Sequence, residues 1–177
     1  MQMNLPNKLT LFRILLIPVF LLVLFLIPAP AGRYLATAVF AIASFTDFLD
    51  GKIARSWNLV TNFGKFMDPL ADKLLVCSAL VSFVGLGDLP AWVVILILSR
   101  EFAITGFRTL AMEANVVIAA SKWGKLKTVT QMIMIILLLL HIPGWEMAET
   151  VFVVLAVIFT VVSGVDYIVK NISVLHD

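Results

Sequence analysis

Apolar residues along this chain gather into six stretches, at about Leu9–Ile27, Tyr34–Ala54, Pro69–Val84, Pro90–Ala111, Thr128–His141 and Ala148–Val169. Several approach or reach the roughly 20 residues that an α-helix needs to cross a bilayer core. Pro28 and Pro30, then Gly85, Gly87 and Pro90, then Pro143 and Gly144 punctuate three tight turns between them. Two longer connections, around Ser56–Phe66 and Glu113–Lys127, fall on the opposite side. The pattern predicts an all-α integral membrane protein with six transmembrane helices, built as a single domain over residues 1–177. The third and fifth stretches are short for a full crossing, so their helices are expected to extend into the adjoining polar residues. Ahead of the first span, "MQMNLPNKLT" mixes Met1, Met3, Leu5 and Leu9 with polar residues. It reads either as a short interfacial amphipathic piece or as a frayed terminus.

Composition supports the membrane reading. The chain is 62% hydrophobic and 14% charged, with a mean hydropathy of +1.06. A net charge of +2 is too weak to suggest a nucleic-acid partner. Cys77 is the one cysteine, so no intrachain disulfide forms, and His141 and His176 stand too far apart for a histidine-based zinc site. Lys8 and Arg13, the apolar run after them, and Ala29-Pro30-Ala31 imitate a secretory signal with a small-residue cleavage site. Pro30 inside that site and the five further apolar stretches favour a retained membrane helix.

Charge then orients the spans. Lys8, Arg13, Lys52, Arg55, Lys65, Lys73, Arg100, Arg108, Lys122, Lys125, Lys127 and Lys170 map to one side of the predicted membrane, and Arg33 alone to the other. Positively charged loops stay in the cytoplasm, which places both termini there. The expected location is therefore the cell membrane, as a multi-pass protein with its polar chemistry facing the cytoplasm.

That chemistry is concentrated in "DFLDGKIARSWNLVTNFGKFMDPLAD", which sets four aspartates at the mouth of the second and third spans. Carboxylates in or beside lipid are costly and call for a purpose. Asp47 and Asp50 are spaced i, i+3, while Gly64, Asp68 and Asp72 repeat at i, i+4, so each set shares a helix face. Pro69 either starts a helix capped by Asp68 or kinks a longer one begun near Thr61; the Gly64–Asp68–Asp72 alignment favours the longer helix. Lys52, Arg55, Lys65 and Lys73 offer one way to neutralise the carboxylates. Lys52 and Lys73, however, follow an aspartate by one or two positions, where helical side chains diverge. A pair of divalent ions fits better, because oxygen-only ligands suit Mg2+ or Mn2+ and two such ions balance four negative charges. Gly51 and Ala54 leave room for a ligand or for helix packing, and Arg55 is placed to meet a phosphate.

Taken together, Asp47, Asp50, Gly51, Ala54, Arg55, Gly64, Asp68 and Asp72 form D-x2-D-G-x2-A-R-x8-G-x3-D-x3-D. The pattern resembles the motif of the CDP-alcohol phosphatidyltransferase family, and the likeness extends to the six-helix plan with cytoplasmic termini. The resemblance implies two divalent ions on the four aspartates, with Asp72 as general base. It implies a CDP-diacylglycerol donor whose nucleotide lies near Gly51, Ala54, Arg55, Thr61 and Gly64. "PNKLTLFR" also looks like the family's first segment, implying donor contacts from Asn7 and Thr10. Family members are usually homodimers, so a homodimer is expected.

The acceptor is read elsewhere. Arg100 and Arg108 are about two helical turns apart, and Lys122, Lys125 and Lys127 cluster in the next connection. Convergent arginine and lysine suit a phosphate dianion, although Lys122 and Lys127 are equally read as ordinary cytoplasmic charge. "SRE", the later arginine and "AASKWGKLKT" resemble the bacterial phosphatidylglycerophosphate synthase branch of the family. That likeness implies sn-glycerol 3-phosphate as acceptor, bound by Arg100, Arg108 and Lys125, with phosphatidylglycerophosphate and CMP as products. Cardiolipin synthase and phosphatidylinositol-phosphate synthase are the alternatives within the class. Outside it stands a divalent-cation transporter, which the gathering of all four aspartates at one membrane face argues against.

Overall fold

The computed structural model describes residues 5–56, 62–113 and 121–171, with side chains described throughout except at 5, 6, 47–56, 62–66, 68, 69, 112 and 113. Six α-helices are found among these residues: α1 Leu5–Leu26, α2 Ala31–Ser56, α3 Asn62–Leu86, α4 Ala91–Glu113, α5 Lys122–Leu140 and α6 Glu146–Asn171. The chain forms two compact units, Met1–Ser82 and Phe83–Asp177, whose boundary falls within α3. In the first, α1 packs along α2; in the second, both α4 and α5 pack on α6.

The two stretches too short to cross a bilayer do lengthen as expected. α3 begins at Asn62, ahead of the apolar run, and continues through Pro69 to Leu86. α5 begins at Lys122, where Ser121 caps it by accepting a hydrogen bond from the Gly124 N–H at 3.1 Å. At the other end the residues expected as a separate interfacial piece differ from that reading. Leu5–Thr10 are the opening turns of α1 itself, because the buried stripe Asn7, Thr10, Arg13 runs on without a break into Ile17, Phe20 and Leu24. Met1–Asn4 lie outside the described residues.

Burial in α1 is inverted relative to a water-soluble helix. Asn7, Thr10 and Arg13 are inside, whereas Leu11, Phe12, Leu15, Val19, Leu22 and Phe25 face outward. α6 repeats the arrangement, with Thr160 and Ser163 buried and Val154, Ile158, Val161 and Val165 exposed. Outward apolar faces of this extent are what lipid solvates and water does not. Asn7–Leu26, Lys122–Leu140 and Glu146–Asn171 are long and apolar enough to cross a membrane. The protein is thus a helical, multi-pass membrane protein.

A turn of four residues joins α1 to α2, and Gly32 makes it possible. A Cβ at that position would lie 2.2 Å from the Ile27 carbonyl oxygen and 3.2 Å from that of Val23. With only hydrogen there, the helices close together and Phe20 meets Phe40 at a centroid distance of 6.0 Å.

Candidate active site

In the first unit, the Phe20–Phe40 contact fixes the level of one helix against the other. α1 and α2 run in opposite senses with the same rise per residue, so seven residues down from Phe20 lies level with seven residues beyond Phe40. Arg13 therefore stands at the height of Asp47, Thr10 at that of Asp50, and Asn7 at that of Ile53 and Ala54. α2 buries Gly32, Ala36, Phe40, Ala43 and Thr46 at helical spacing. Beyond Thr46 the helical backbone runs on through Asp47, Asp50 and Ala54. The buried polar end of α1 and the motif end of α2 thus share one stretch of the helix pair. Thr10 and Arg13 are both 0% exposed, which makes them part of the interior and not an interfacial fringe.

α2 is helical through Asp47, Asp50, Gly51, Ala54 and Arg55, and α3 through Gly64, Asp68 and Asp72. The backbone that carries both aspartate pairs is therefore helical. Asp72 is exposed on α3. The side chains of Asp47, Asp50, Ala54, Arg55 and Asp68, and Thr61 altogether, lie outside the described residues, as do the surroundings of Gly51 and Gly64.

In the second unit, α4, α5 and α6 build a basic cluster around Arg100. Its stem passes α6 where Gly164 leaves space, a Cβ there being only 3.3 Å from Arg100 Cγ. Its head reaches α5 beside Gly124, whose Cβ would stand 3.8 Å from Nη2. Nη1 donates to Glu101 Oε1 at 3.1 Å, and the same oxygen accepts from Lys127 Nζ. Lys127 is 3% exposed. It continues a buried face of α5 through Gln131, Met134, Ile135 and Leu138, so its charge is held inside and answered by Glu101. Arg100 Nε is also buried, with no hydrogen-bond partner among the described residues. A cavity of about 330 Å³ between α4 and α6 opens against Arg100, its other polar lining coming from Ser99 and Thr160.

The remaining candidates are placed differently. Arg108 is exposed further along α4, its guanidinium 5.8 Å from the ring centroid of Tyr167. That ring is also met edge-on by Phe107 at 6.0 Å. Lys125 is exposed on the first turn of α5. The cation brought to Arg100's own partner is Lys127, which the sequence left open between the acceptor cluster and ordinary cytoplasmic charge. Glu101 was visible only as the neighbour of Arg100. The helical period from Lys127 to Gln131 to Met134 carried the signal, but in a helix apolar on every side that period is faint.

A model of CDP-alcohol phosphatidyltransferases matches residues 3–162 of the chain. The chain is 50% identical, over 184 aligned positions covering 95% of each protein, to a CDP-diacylglycerol–glycerol-3-phosphate 3-phosphatidyltransferase of Bacillus subtilis. It is 46% identical to a probable phosphatidylglycerophosphate synthase of Mycobacterium tuberculosis, across 94% of this chain and 81% of that one. A CDP-diacylglycerol–glycerol-3-phosphate 3-phosphatidyltransferase of Rickettsia bellii is 39% identical over 93% of both. With the motif intact on two unbroken helices and likeness running nearly end to end, this chain belongs to the CDP-alcohol phosphatidyltransferase family.

Proposed function

We propose that the protein transfers the phosphatidyl group of CDP-diacylglycerol to sn-glycerol 3-phosphate, giving phosphatidylglycerophosphate and CMP. The names of its relatives support this choice of substrates. The observation that carries the acceptor is the Arg100–Glu101–Lys127 cluster, which brings two cations to one carboxylate and leaves further guanidinium donors on Arg100. Membership of a transferase family argues against the cation-transporter alternative.

The donor belongs with α1, α2 and α3. Asn7, Thr10, Gly51, Ala54, Arg55, Thr61 and Gly64 bind its nucleotide and pyrophosphate. Asp47, Asp50, Asp68 and Asp72 would hold two Mg2+ (or Mn2+), a fit supported by hard oxygen donors paired on continuous helices. When bound, such ions supply charge stabilisation to the pyrophosphate and to departing CMP. Asp72 takes the proton from the acceptor hydroxyl. The oxygen then bonds to the β-phosphorus carrying diacylglycerol, and the phosphorus–oxygen bond to CMP breaks. Arg100, Arg108 and Lys125 hold the acceptor phosphate.

The same reading makes residues 1–177 one functional domain crossing the membrane six times, with both termini and the active site on the cytoplasmic side of the cell membrane. It also makes the protein a homodimer. The twelve-to-one distribution of lysine and arginine supports the orientation. The decisive test supplies purified protein with CDP-diacylglycerol, Mg2+ and in turn glycerol 3-phosphate, phosphatidylglycerol or inositol phosphate, and identifies the lipid formed. Phosphatidylglycerophosphate from the first alone is expected. Another lipid product moves the acceptor within the family, and CMP release with none of them sinks the proposal.

A further inference from the structure

Arg100 and Glu101 are neighbours on one helix, and neighbouring helical side chains point about 100° apart. Their contact at 3.1 Å is therefore not what α4 alone provides. On α5, buried Lys127 holds Glu101 by the same oxygen that Arg100 Nη1 uses. A lysine so enclosed requires a paired carboxylate, so Glu101 is pinned by a partner 26 residues away in sequence. Arg100 Cγ passes Gly164 and its Nη2 lies near Gly124, while Glu101 accepts from its Nη1. A guanidinium has five donors in a rigid fork, and only Nη1 is taken by Glu101.

We propose that Glu101, anchored by Lys127, is a positioning residue for the acceptor: it fixes the direction in which Arg100 offers its remaining donors to the acceptor phosphate. This rests on the acceptor reading above. Glu101 itself does not touch substrate.

Charge and position make opposite demands, which gives a clean test. Replacing Glu101 by Gln removes a negative charge beside the anion site. If charge alone mattered, the acceptor would bind more tightly and KM for glycerol 3-phosphate would fall. If Glu101 positions Arg100, that KM rises by roughly tenfold or more, the usual effect of losing a charge-assisted hydrogen bond. KM for CDP-diacylglycerol stays within about threefold by the same scale. Glu101→Asp, which keeps a carboxylate, restores part of the loss.

Gly164→Ala leaves every charge in place and crowds Arg100 Cγ at 3.3 Å. It should raise the acceptor KM by a smaller factor and again spare the donor. It decides the matter alone if Glu101→Gln fails to fold. An unchanged or lowered acceptor KM in Glu101→Gln overturns the inference. So does an equal weakening of donor and acceptor in both variants, which would make the cluster merely structural. The wild-type protein is run in the same assay against the acceptor panel. If it uses a different phosphorylated acceptor, the reading above fails while the Glu101 test proceeds on that acceptor's KM. An acceptor without phosphate overturns both.

Discussion

Gly32→Ala is the smallest change that strikes the first helix pair. The added Cβ would lie 2.2 Å from the Ile27 carbonyl oxygen and 3.2 Å from that of Val23. Both are main-chain atoms and cannot swing aside as a side chain does. Restoring a contact of 3.2 Å to the nearer one means moving α1 and α2 apart by about 1 Å at the turn. Overpacking of this kind costs about 1–3 kcal/mol, and a backbone obstacle places it in the upper part, about 2–3 kcal/mol. For a chain of this size that lowers Tm by about 4–12 °C. Cys77, half-buried in α3, supplies the assay, because a thiol-reactive dye reports its exposure as the detergent-purified protein is heated. Gly106→Ala is the matched control, since nothing lies within 4 Å of its Cβ. Mid-helix alanine there is stabilising by roughly 0.5–1 kcal/mol. The displacement should also reach the far end of the pair, where Asn7 and Thr10 stand level with the motif residues of α2. KM for CDP-diacylglycerol rises and that for glycerol 3-phosphate does not. Equal melting of Gly32→Ala and wild type, with an unchanged donor KM, would refute the close-packed turn and the level it sets.

Asp72→Asn should lower turnover by roughly two to four orders of magnitude, as expected for loss of a general base. Donor binding, measured by CDP-diacylglycerol displacement, should survive better than in Asp47→Asn or Asp68→Asn; near-normal turnover would remove Asp72 from that role. Chelation of divalent ions should abolish CMP release and added Mg2+ should restore it, while activity persisting in a chelator would rule out the proposed ions. In a Cys77-free background, single cysteines at Gly87 and Gly144 should react with an impermeant thiol reagent applied outside intact cells, and those at Ser56 and Ala120 should not. The reverse pattern inverts the proposed orientation.

The helices were legible because apolar stretches of this length favour helices that satisfy their own backbone hydrogen bonds, and the early start of α3 was expected from the shortness of its apolar run. The motif was legible for a chemical reason: four aspartates in 26 residues of an apolar chain need compensation. What the sequence concealed depends on contacts between distant segments. Glu101 and Lys127 are separated by 26 residues, and α5 is apolar on so many sides that its buried face barely shows. The closeness of Gly164 and Gly124 to Arg100 is a tertiary contact that no local pattern announces. Arg13 was counted among the cytoplasmic-side charges, and only burial showed it to be inside.

A ribosome delivers α1 before α2 exists to cover it. At that moment the face carrying Asn7, Thr10 and Arg13 has no protein neighbour, and an arginine against hydrocarbon costs roughly 2.5–3.5 kcal/mol at mid-bilayer and less toward the surface. The nascent helix therefore rides high, with Arg13 reaching for the headgroups, until the short turn at Gly32 brings its companion alongside. The hairpin, not the single helix, is the unit that settles to full depth. A chain arrested after Leu26 should consequently leave Arg13 more accessible to aqueous probes than one arrested after Ser56, and equal accessibility would mean that α1 finds its depth alone.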